Sequence, residues 1–343
     1  MIQRVSGVGE GLKTRTVADL LAADIPEQEP MLAPWLKERQ LCMVYAPTGV
    51  GKSLFAMGVA LAIAGGGSYL GWKAPKPRKV LFIDGEMDMV DLRDRFKLLL
   101  RAMPDLDASA AADNVVLLPR MDQEVGTEFP DLASPEGCQA VLDQVEQKSP
   151  DLVVFDNLST LATVEDENKA SGFNQVIELA QQLKQRGTGS LVVHHSRKGG
   201  GGAESFRGST KLSVIFNCMI ELRHPGNVPS QTGAAFELNW AKYRGKRDES
   251  MGSLVVRLSE EDSADVAWMC EASEGDAAAK VVSAVRSGLY LSQDKIAREL
   301  GFSKSQVSKL KSRAISEGMI SKEEWEVCMS SASDGGDGLD GLW

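Results

Sequence analysis

The chain has 343 residues, of which 43% are hydrophobic and 25% are charged, and its formal net charge at pH 7 is −10. This length suits one large α/β domain with a small appendage, and the composition is ordinary for a soluble globular protein. The negative balance excludes a surface that coats nucleic acid as a whole, so DNA binding would depend on local basic patches.

No feature of the sequence indicates a membrane or secreted protein. No apolar run approaches the roughly 20 residues that cross a bilayer, and the first residues lack a signal-peptide pattern. The five cysteines are scattered and odd in number, without a Cys-x-x-Cys pair. We therefore expect a reduced, cytoplasmic protein without a disulfide or zinc framework and without a membrane partner.

Residues 1–30 are polar and contain one short amphipathic stretch at 17–21. They predict an N-terminal arm that docks on another surface, such as a neighbouring subunit. A disordered terminus is the alternative.

Residues 31–260 alternate short apolar runs with helical stretches, which predicts an α/β domain with a mainly parallel sheet covered on both faces. Ligands of such sheets bind at the carboxyl ends of the strands. The strand-like runs are 42–45, 80–83, 115–118, 152–155, 191–193 and 219–222, followed by the more alternating runs 236–240 and 254–258.

The segment Ala-Pro-Thr-Gly-Val-Gly-Lys-Ser at 46–53 lies between an apolar run and a stretch rich in helix formers. Strand, glycine loop and helix are the context of a phosphate-binding P-loop, whose amides and helix N-terminus form an anion site. Lys52 is expected to reach the β- and γ-phosphates, and Ser53 to ligate Mg²⁺. Ala46 replaces the first glycine of the usual motif, and a small residue fits there.

Two predicted strands end in acidic residues. Glu86 follows the run 80–83 and is placed to polarise the water that attacks a γ-phosphate. Asp156 ends the run 152–155 in the manner of a Walker B aspartate, which holds Mg²⁺ through water. Solvated loop acids or helix caps are the alternatives. The predicted nucleotide-binding residues are Ala46, Pro47, Thr48, Gly49, Val50, Gly51, Lys52, Ser53, Leu54 and Asp156.

His194 and His195 end the run 191–193 and point in opposite directions if the strand continues. One of them could contact the γ-phosphate region, whereas a structural role is the alternative. A glycine-rich basic segment follows and predicts a mobile loop that grips phosphodiester. Its candidate DNA-binding residues are Arg197, Lys198, Arg207 and Lys211.

Lys242 and Arg244 follow the run 236–240 and fall on the same side of a continued strand. Two cations directed one way suit a γ-phosphate held by another subunit, as an arginine finger. An exposed basic edge is the alternative.

Residues 261–275 are acidic and small and predict a linker. Residues 276–328 predict two helices with a glycine turn between them, which resembles the helix-turn-helix of a winged-helix domain that binds duplex DNA. A module used for protein contacts is the alternative. The acidic stretch 329–343 predicts a disordered tail that could dock on a replication protein. The residues expected to face DNA include Lys304, Gln306 and Lys309.

In combination, these motifs resemble the RecA-like P-loop ATPases, and among them the RepA-type hexameric replicative helicases. The resemblance covers residues 31–258 and rests on the order and strand-end placement of the motifs, since only the P-loop is specific alone. It implies a RecA-like P-loop NTPase core, ATP and Mg²⁺ as ligands, a homo-hexameric ring, and single-stranded DNA as a partner.

The family's roles carry over to matching positions. Glu86 resembles the catalytic glutamate, Asp156 the Walker B aspartate, and either His194 or His195 the nucleotide-sensing residue. Lys242 and Arg244 resemble the Lys-x-Arg pair inserted into a neighbour's site.

Some RepA-type proteins carry the finger about nine residues beyond an Arg-Gly-Ser segment, where this chain has Phe216. Arg207, Arg223 and Arg244 therefore remain candidates, and Arg244 is favoured.

Three functions are compatible with this pattern. The first is an ATP-dependent helicase that acts on single-stranded DNA in the replication of a plasmid, phage or mobile element. The second is a RecA-like recombination mediator or regulatory ATPase. The third is an ATP-gated DNA-binding regulator that works through the winged helix.

Overall fold

The computed structural model describes residues 11–163, 173–196, 210–225, 234–261, 265–290, 292–316 and 318–331. Its strands are β1 (Pro30–Leu32), β2 (Leu36–Lys37), β3 (Leu41–Ala46), β4 (Ser68–Tyr69), β5 (Trp72–Lys73), β6 (Val80–Asp84), β7 (Val115–Pro119), β8 (Leu152–Asp156), β9 (Gly189–His195), β10 (Cys218–Arg223), β11 (Ala235–Tyr243), β12 (Leu254–Glu261) and β13 (Asp265–Ala272).

Its helices are α1 (Val17–Ala22), α2 (Lys52–Gly65), α3 (Met89–Ala102), α4 (Ala108–Asn114), α5 (Pro135–Lys148), α6 (Leu158–Leu161), α7 (Asn174–Gln185), α8 (Thr210–Ile215), α9 (Glu274–Arg286), α10 (Gln293–Glu299), α11 (Lys304–Ser316) and α12 (Lys322–Ser331). Short 3-10 turns lie at Arg120–Asp122 and Glu249–Met251.

A nine-stranded sheet, as traced through the described residues, forms the centre in the order β13-β12-β11-β10-β3-β9-β8-β6-β7. The strands from β10 to β7 pair in parallel, whereas β11, β12 and β13 add in antiparallel fashion at one side. The parallel pairing brings the carboxyl ends of β3, β6, β8 and β9 to one edge of the sheet. We call this the carboxyl edge, and the opposite one the amino edge.

Both faces of the parallel strands are buried, which explains their continuous apolar sequences. Side chains of β3 alternate between two cores, with Cys42 and Val44 in one and Met43 and Tyr45 in the other. The first core packs against α2 and α3, and the second against α5 and α7. The loops that leave the carboxyl edge are thereby held on a rigid base.

The predicted fold class is confirmed, since the core is α/β with a mainly parallel sheet and the C-terminal region is helical. Each of the eight predicted strand-like runs lies within an observed strand. The predicted N-terminal arm, residues 1–30, contains α1 and ends at Pro30, the first residue of β1. No residue of α1 is buried, although Thr16 and Asp19 form a complete capping box.

The prediction of a linker at 261–275 is wrong. Most of this segment is β13, which pairs with β12 along its length. Its acidic composition hides an alternating pattern in which Val266 and Trp268 face the core. Trp268 packs edge-on against Tyr69, with ring centroids 5.4 Å apart.

The C-terminal helices enclose a small core that includes Val281, Ile296, Leu310 and Trp325. Helices α10 and α11 meet at a turn where Gly301 has a φ of 69°, which matches the predicted helix-turn-helix. The winged-helix prediction is not confirmed, because α12 follows α11 and the described residues after α9 contain no strand for a wing. Residues 329–331 of the predicted tail belong to α12, and 332–343 lie outside the described residues.

Candidate active site

The glycine loop connects the buried end of β3 to the first turn of α2. Gly49 and Gly51 have φ values of 83° and 113°, which side-chain-bearing residues rarely adopt. A Cβ on Gly51 would also lie 3.2 Å from the ring of Phe236. The predicted residues 46–54 therefore run from the end of β3 through a tight glycine turn into the N-terminus of α2, which is the arrangement that an anion site uses.

Lys52 is the first residue of α2, and its side chain folds back over the loop. Its Nζ donates to the carbonyls of Ala46 and Pro47 at 3.1 and 2.9 Å. Burial lowers the pKa of Lys52 to about 8, although the charges of Asp156 and Glu86 act in the opposite direction. A buried ammonium of this kind gains from an anionic ligand in the loop.

Asp156 ends β8 beside Asp84, which ends β6 in register with it. Only 2% of Asp156 is exposed, and within the described residues its Oδ2 has no hydrogen-bond partner. Burial raises the pKa of Asp156 to about 7, while a hydrogen bond with Ser53 lowers it. A buried, half-satisfied carboxylate next to a hydroxyl is a donor set that fits Mg²⁺. Ser53 and Asp156, the two predicted Mg²⁺ ligands, are therefore hydrogen-bonded to each other next to the glycine loop.

Two groups of hydrogen bonds hold Glu86 in place at the carboxyl edge. The Oδ1 of Asp84 accepts from the backbone N–H groups of Glu86 and Met87 at 3.1 and 2.7 Å, which fixes the turn after β6. The Nδ2 of Asn157 donates to Glu86 Oε2 at 2.7 Å. Asn157 also caps α6, since its Oδ1 accepts from Thr160 N at 3.3 Å. The carboxylate predicted to activate water is therefore tethered by the residue after Asp156.

The two histidines occupy opposite faces of β9. His194 is fully buried, with Nδ1 at 3.4 Å from Ser159 Oγ and its ring edge-on to Phe173. His195 lines the nucleotide cleft, where its Nδ1 lies 3.5 Å from Thr48 Oγ1 in the glycine loop. Only His195 is thus in position to contact a nucleotide.

A cleft of 720 Å³ lies at the carboxyl edge, and its lining includes Lys52, Ser53, Glu86, Asp156 and His195. Five carboxylates and two lysine or arginine side chains line its described part. The carboxylates are Asp84, Glu86, Asp88, Asp91 and Asp156, and the two cations are Lys52 and Arg95.

Arg95 is a lining residue that sequence reasoning missed. It shares one face of α3 with Asp91 and Leu98, and Asp88 caps that helix. Asp88, Asp91, Arg95 and Leu98 are spaced three or four residues apart, which places them on one side of a helix. This spacing is the signal in the sequence that could have identified Arg95.

Lys242 and Arg244 do not join this cleft. They lie at the end of β11, which runs antiparallel to β10, and therefore at the amino edge of the sheet. Lys242 Nζ donates to Ser213 O at 2.7 Å, and Arg244 Nη2 donates to Val214 O. Both carbonyls belong to the last turn of α8. The pair thus contacts its own subunit on the far side of the sheet from the glycine loop.

The other finger candidates are placed differently. Arg223 ends β10 and pairs with Glu221 at 2.7 Å. Phe216 is buried at 1% exposure. Arg207 lies outside the described residues.

A second cleft, of 580 Å³, lies at the amino edge next to Arg244. Its described lining includes four cations and two carboxylates. The cations are Lys37, Arg244, Lys246 and Arg247, and the carboxylates are Glu27 and Asp248.

The predicted DNA-binding residues are only partly described. Arg197 and Lys198 lie outside the described residues, as does Arg207, and Lys211 lies in α8. In α11, Gln306 forms a reciprocal cap with Ser303, since its Oε1 accepts from Ser303 N at 2.7 Å. Lys304 pairs with Asp294 at 3.1 Å, and Lys309 is exposed. Gln306 and Lys304 therefore already have partners within the helical region.

Across the described residues, no helix is long and apolar enough to cross a membrane.

A family model described as an AAA domain matches residues 10–201 of the chain. Among solved structures, the KaiC-like protein PH0186 from the hyperthermophilic archaeon Pyrococcus horikoshii OT3 is similar, with 14% identity and a TM-score of 0.48. That match covers 71% of this chain and 98% of the other. No curated protein matches the sequence.

Proposed function

The chain belongs to the AAA domain family, and we propose that it is an ATP-driven helicase of the RepA type that moves along single-stranded DNA as a ring. Family membership and the glycine loop support the general activity, which is binding and hydrolysis of ATP. The proposed ring is supported by the distribution of charge between the two edges of the sheet, and the proposed DNA partner by the resemblance of the sequence motifs to RepA-type helicases.

The observation that carries the proposal is the shortage of cations in the nucleotide cleft. Its described lining holds five carboxylates against Lys52 and Arg95. A triphosphate would add further negative charge, which Mg²⁺ would offset in part, and an arginine from another subunit would complete the stabilisation of the transition state. The amino edge carries Lys242 and Arg244, and a head-to-tail contact between copies would bring them to a neighbour's cleft. Heterologous contacts of this type close into rings when the rotation permits.

In the proposed mechanism, Lys52 turns from the loop carbonyls to the β- and γ-phosphates. Ser53 and Asp156 would hold Mg²⁺, which neutralises charge on the phosphates when it is bound. Glu86 accepts a proton from the water that attacks the γ-phosphorus as the bond to the bridging oxygen breaks. Arg244 of the adjacent copy would stabilise the charge that develops on the leaving oxygens.

Mixing inactive variants tests whether the site is completed in trans. Lys52→Ala removes the phosphate contact, and Arg244→Ala removes the proposed finger, so each protein alone should lose most of its ATPase activity. A mixture should recover activity, because Lys52→Ala subunits can supply Arg244 to intact P-loops. Mixing Arg244→Ala with the double variant is the matched control, and it should recover none. Equal activity in the two mixtures would refute completion in trans.

The helicase proposal is tested with forked DNA and electron microscopy. Single-stranded DNA should stimulate ATP hydrolysis, the protein should unwind a fork, and six-fold rings should form with an ATP analogue. Filaments without unwinding would indicate the recombination-mediator alternative. Tight binding of one duplex sequence without unwinding would indicate the regulator instead.

A further inference from the structure

The last turn of α8 is held by two cations from another element. Helix α8 has six residues, and the final carbonyls of a helix have no partner within it. Lys242 Nζ contacts Ser213 O at 2.7 Å and Val214 O at 3.4 Å, and Arg244 Nη2 also donates to Val214 O. The end of α8 is therefore capped by side chains of β11 and of the residue that follows it.

This cap satisfies two needs at once. The carboxyl end of a helix carries partial negative charge and is stabilised by cations. The two cations in turn lie close together, and burial together with the Arg244 charge lowers the pKa of Lys242. Such a pair is favoured next to an electronegative group, and here the carbonyls of α8 supply it.

A phosphate offers the same two cations a stronger partner. The hydrogen bonds to the carbonyls of α8 already have cationic donors, and a phosphate adds the attraction of a full negative charge. The atoms that contact α8 are Lys242 Nζ and Arg244 Nη2, and a phosphate of another subunit would compete with the carbonyls of α8 for these two nitrogens.

We propose that the carboxyl end of α8 and the ATP of an adjacent subunit compete for Lys242 and Arg244, so that ATP binding in one subunit releases α8 in the next. This inference rests on the proposed completion of the site in trans. In the sequence, α8 directly follows the segment that carries the predicted DNA-binding residues Arg197, Lys198 and Arg207, and it contains the fourth, Lys211. The switch therefore acts on the helix next to the residues expected to grip DNA.

Hydrogen–deuterium exchange of the full chain tests this competition, with residues 210–216 as the readout. In the nucleotide-free protein these amides should be protected. A non-hydrolysable ATP analogue with Mg²⁺ should speed their exchange at least about tenfold, since the three charge-assisted hydrogen bonds that cap α8 are lost. The double variant Lys242→Met/Arg244→Met should exchange as fast without the analogue, and the analogue should change it no further.

Lys246→Met is the matched control, since it removes one charge from the same cleft and Lys246 donates to neither carbonyl. It should behave like the unchanged protein. Unchanged exchange at 210–216 in assembled, analogue-bound protein would overturn the competition while leaving the helicase proposal intact. If the analogue protects residues 49–55 but the protein stays monomeric and α8 does not respond, completion in trans and the competition both fail.

Discussion

At the carboxyl edge, the nucleotide cleft presents five carboxylates and two cations among its described lining, whereas the amino-edge cleft presents four cations and two carboxylates. The two clefts lie at opposite edges of the same sheet, and Arg244 lies at the amino edge because β11 runs antiparallel to β10. Acidic side chains are therefore in excess in the carboxyl-edge cleft, and basic side chains are in excess in the amino-edge cleft. A chain of this kind gains by contacting a second copy head to tail.

The largest expected effect comes from removing the reactive group of the carboxyl edge. Glu86→Gln should lower the ATP turnover number by about 10²- to 10⁴-fold, because an amide cannot accept the proton of the attacking water. The affinity for an ATP analogue should change little. Steady-state phosphate release and analogue titration measure the two quantities.

The matched control for this change is Asp88→Asn at the rim of the same cleft. Asparagine can keep the cap that Asp88 provides to Val90 N at 2.9 Å. Turnover should therefore remain near that of the unchanged protein. A similar loss in both variants would assign the effect to the overall charge of the cleft and not to Glu86.

The buried acid of the carboxyl edge should make stability depend on pH. Folding raises the pKa of Asp156 from 3.8 to about 7. At a pH between these values, the folded chain keeps the Asp156 proton, whereas the unfolded chain has lost it. Stability therefore falls as the pH rises between these two values. Asp156→Asn should stabilise the nucleotide-free protein by up to about 4 kcal/mol near pH 8 and by almost nothing near pH 4. Thermal unfolding at a series of pH values measures this difference.

Asp91→Asn is the control for Asp156, because Asp91 lies exposed on the rim of the same cleft. Its effect on stability should be small at every pH. A stabilisation by Asp156→Asn that does not change with pH would contradict the assignment to buried ionisation.

At the amino edge, one buried cation joins three separate segments. Arg78 is 6% exposed and contacts Glu29, Glu38 and Asp151 at 2.7, 2.8 and 3.1 Å. Arg78→Met should lower the free energy of unfolding by about 2–3 kcal/mol, since it leaves three carboxylates together without their cation. Denaturant unfolding measures it.

Lys76→Met tests the same edge with an exposed pair, because Lys76 contacts Glu29 with both side chains more than half exposed. That change should cost less than about 1 kcal/mol. Equal costs for the two variants would show that burial of Arg78 contributes nothing.

The smallest effect concerns the tether of Glu86. Asn157→Ser keeps a cap for α6 but removes the amide that donates to Glu86. It should lower turnover about tenfold and leave the melting temperature nearly unchanged. Asn157→Ala should lower turnover similarly and also destabilise the protein by about 1 kcal/mol. If Asn157→Ser retains full turnover, the tether does not position Glu86.

Much of the carboxyl edge could be predicted from the sequence, because Asp84, Glu86 and Asp156 lie at or just after the ends of continuous apolar runs. Apolar strands and the glycine loop are local patterns, so the order of residues alone places Lys52 at the start of the helix after the loop and Asp156 and Glu86 at strand ends. The choice between His194 and His195 could not be made this way. It depends on which face of β9 meets the glycine loop, and that is set by pairing with β3.

The amino edge was less accessible to sequence reasoning. The contact of Lys242 and Arg244 with α8 joins segments about 30 residues apart, and no local pattern records it. The acidic composition around β13 suggested a linker. In the structure, Val266 and Trp268 alternate along β13 and pack in the hydrophobic core. No sequence pattern indicated that Arg78 would be buried and paired, because its three carboxylate partners come together only in the folded sheet.

The position of β9 between β3 and β8 has a consequence for how the protein folds. Leu41 pairs with Ser190, so the P-loop strand gains this neighbour only after most of the ATPase region has been synthesised. Such non-local pairing is slow, and until it occurs β3 and β8 present open edges prone to association with other chains. A chain that ends before β9 would contain the whole glycine loop and still lack a nucleotide site.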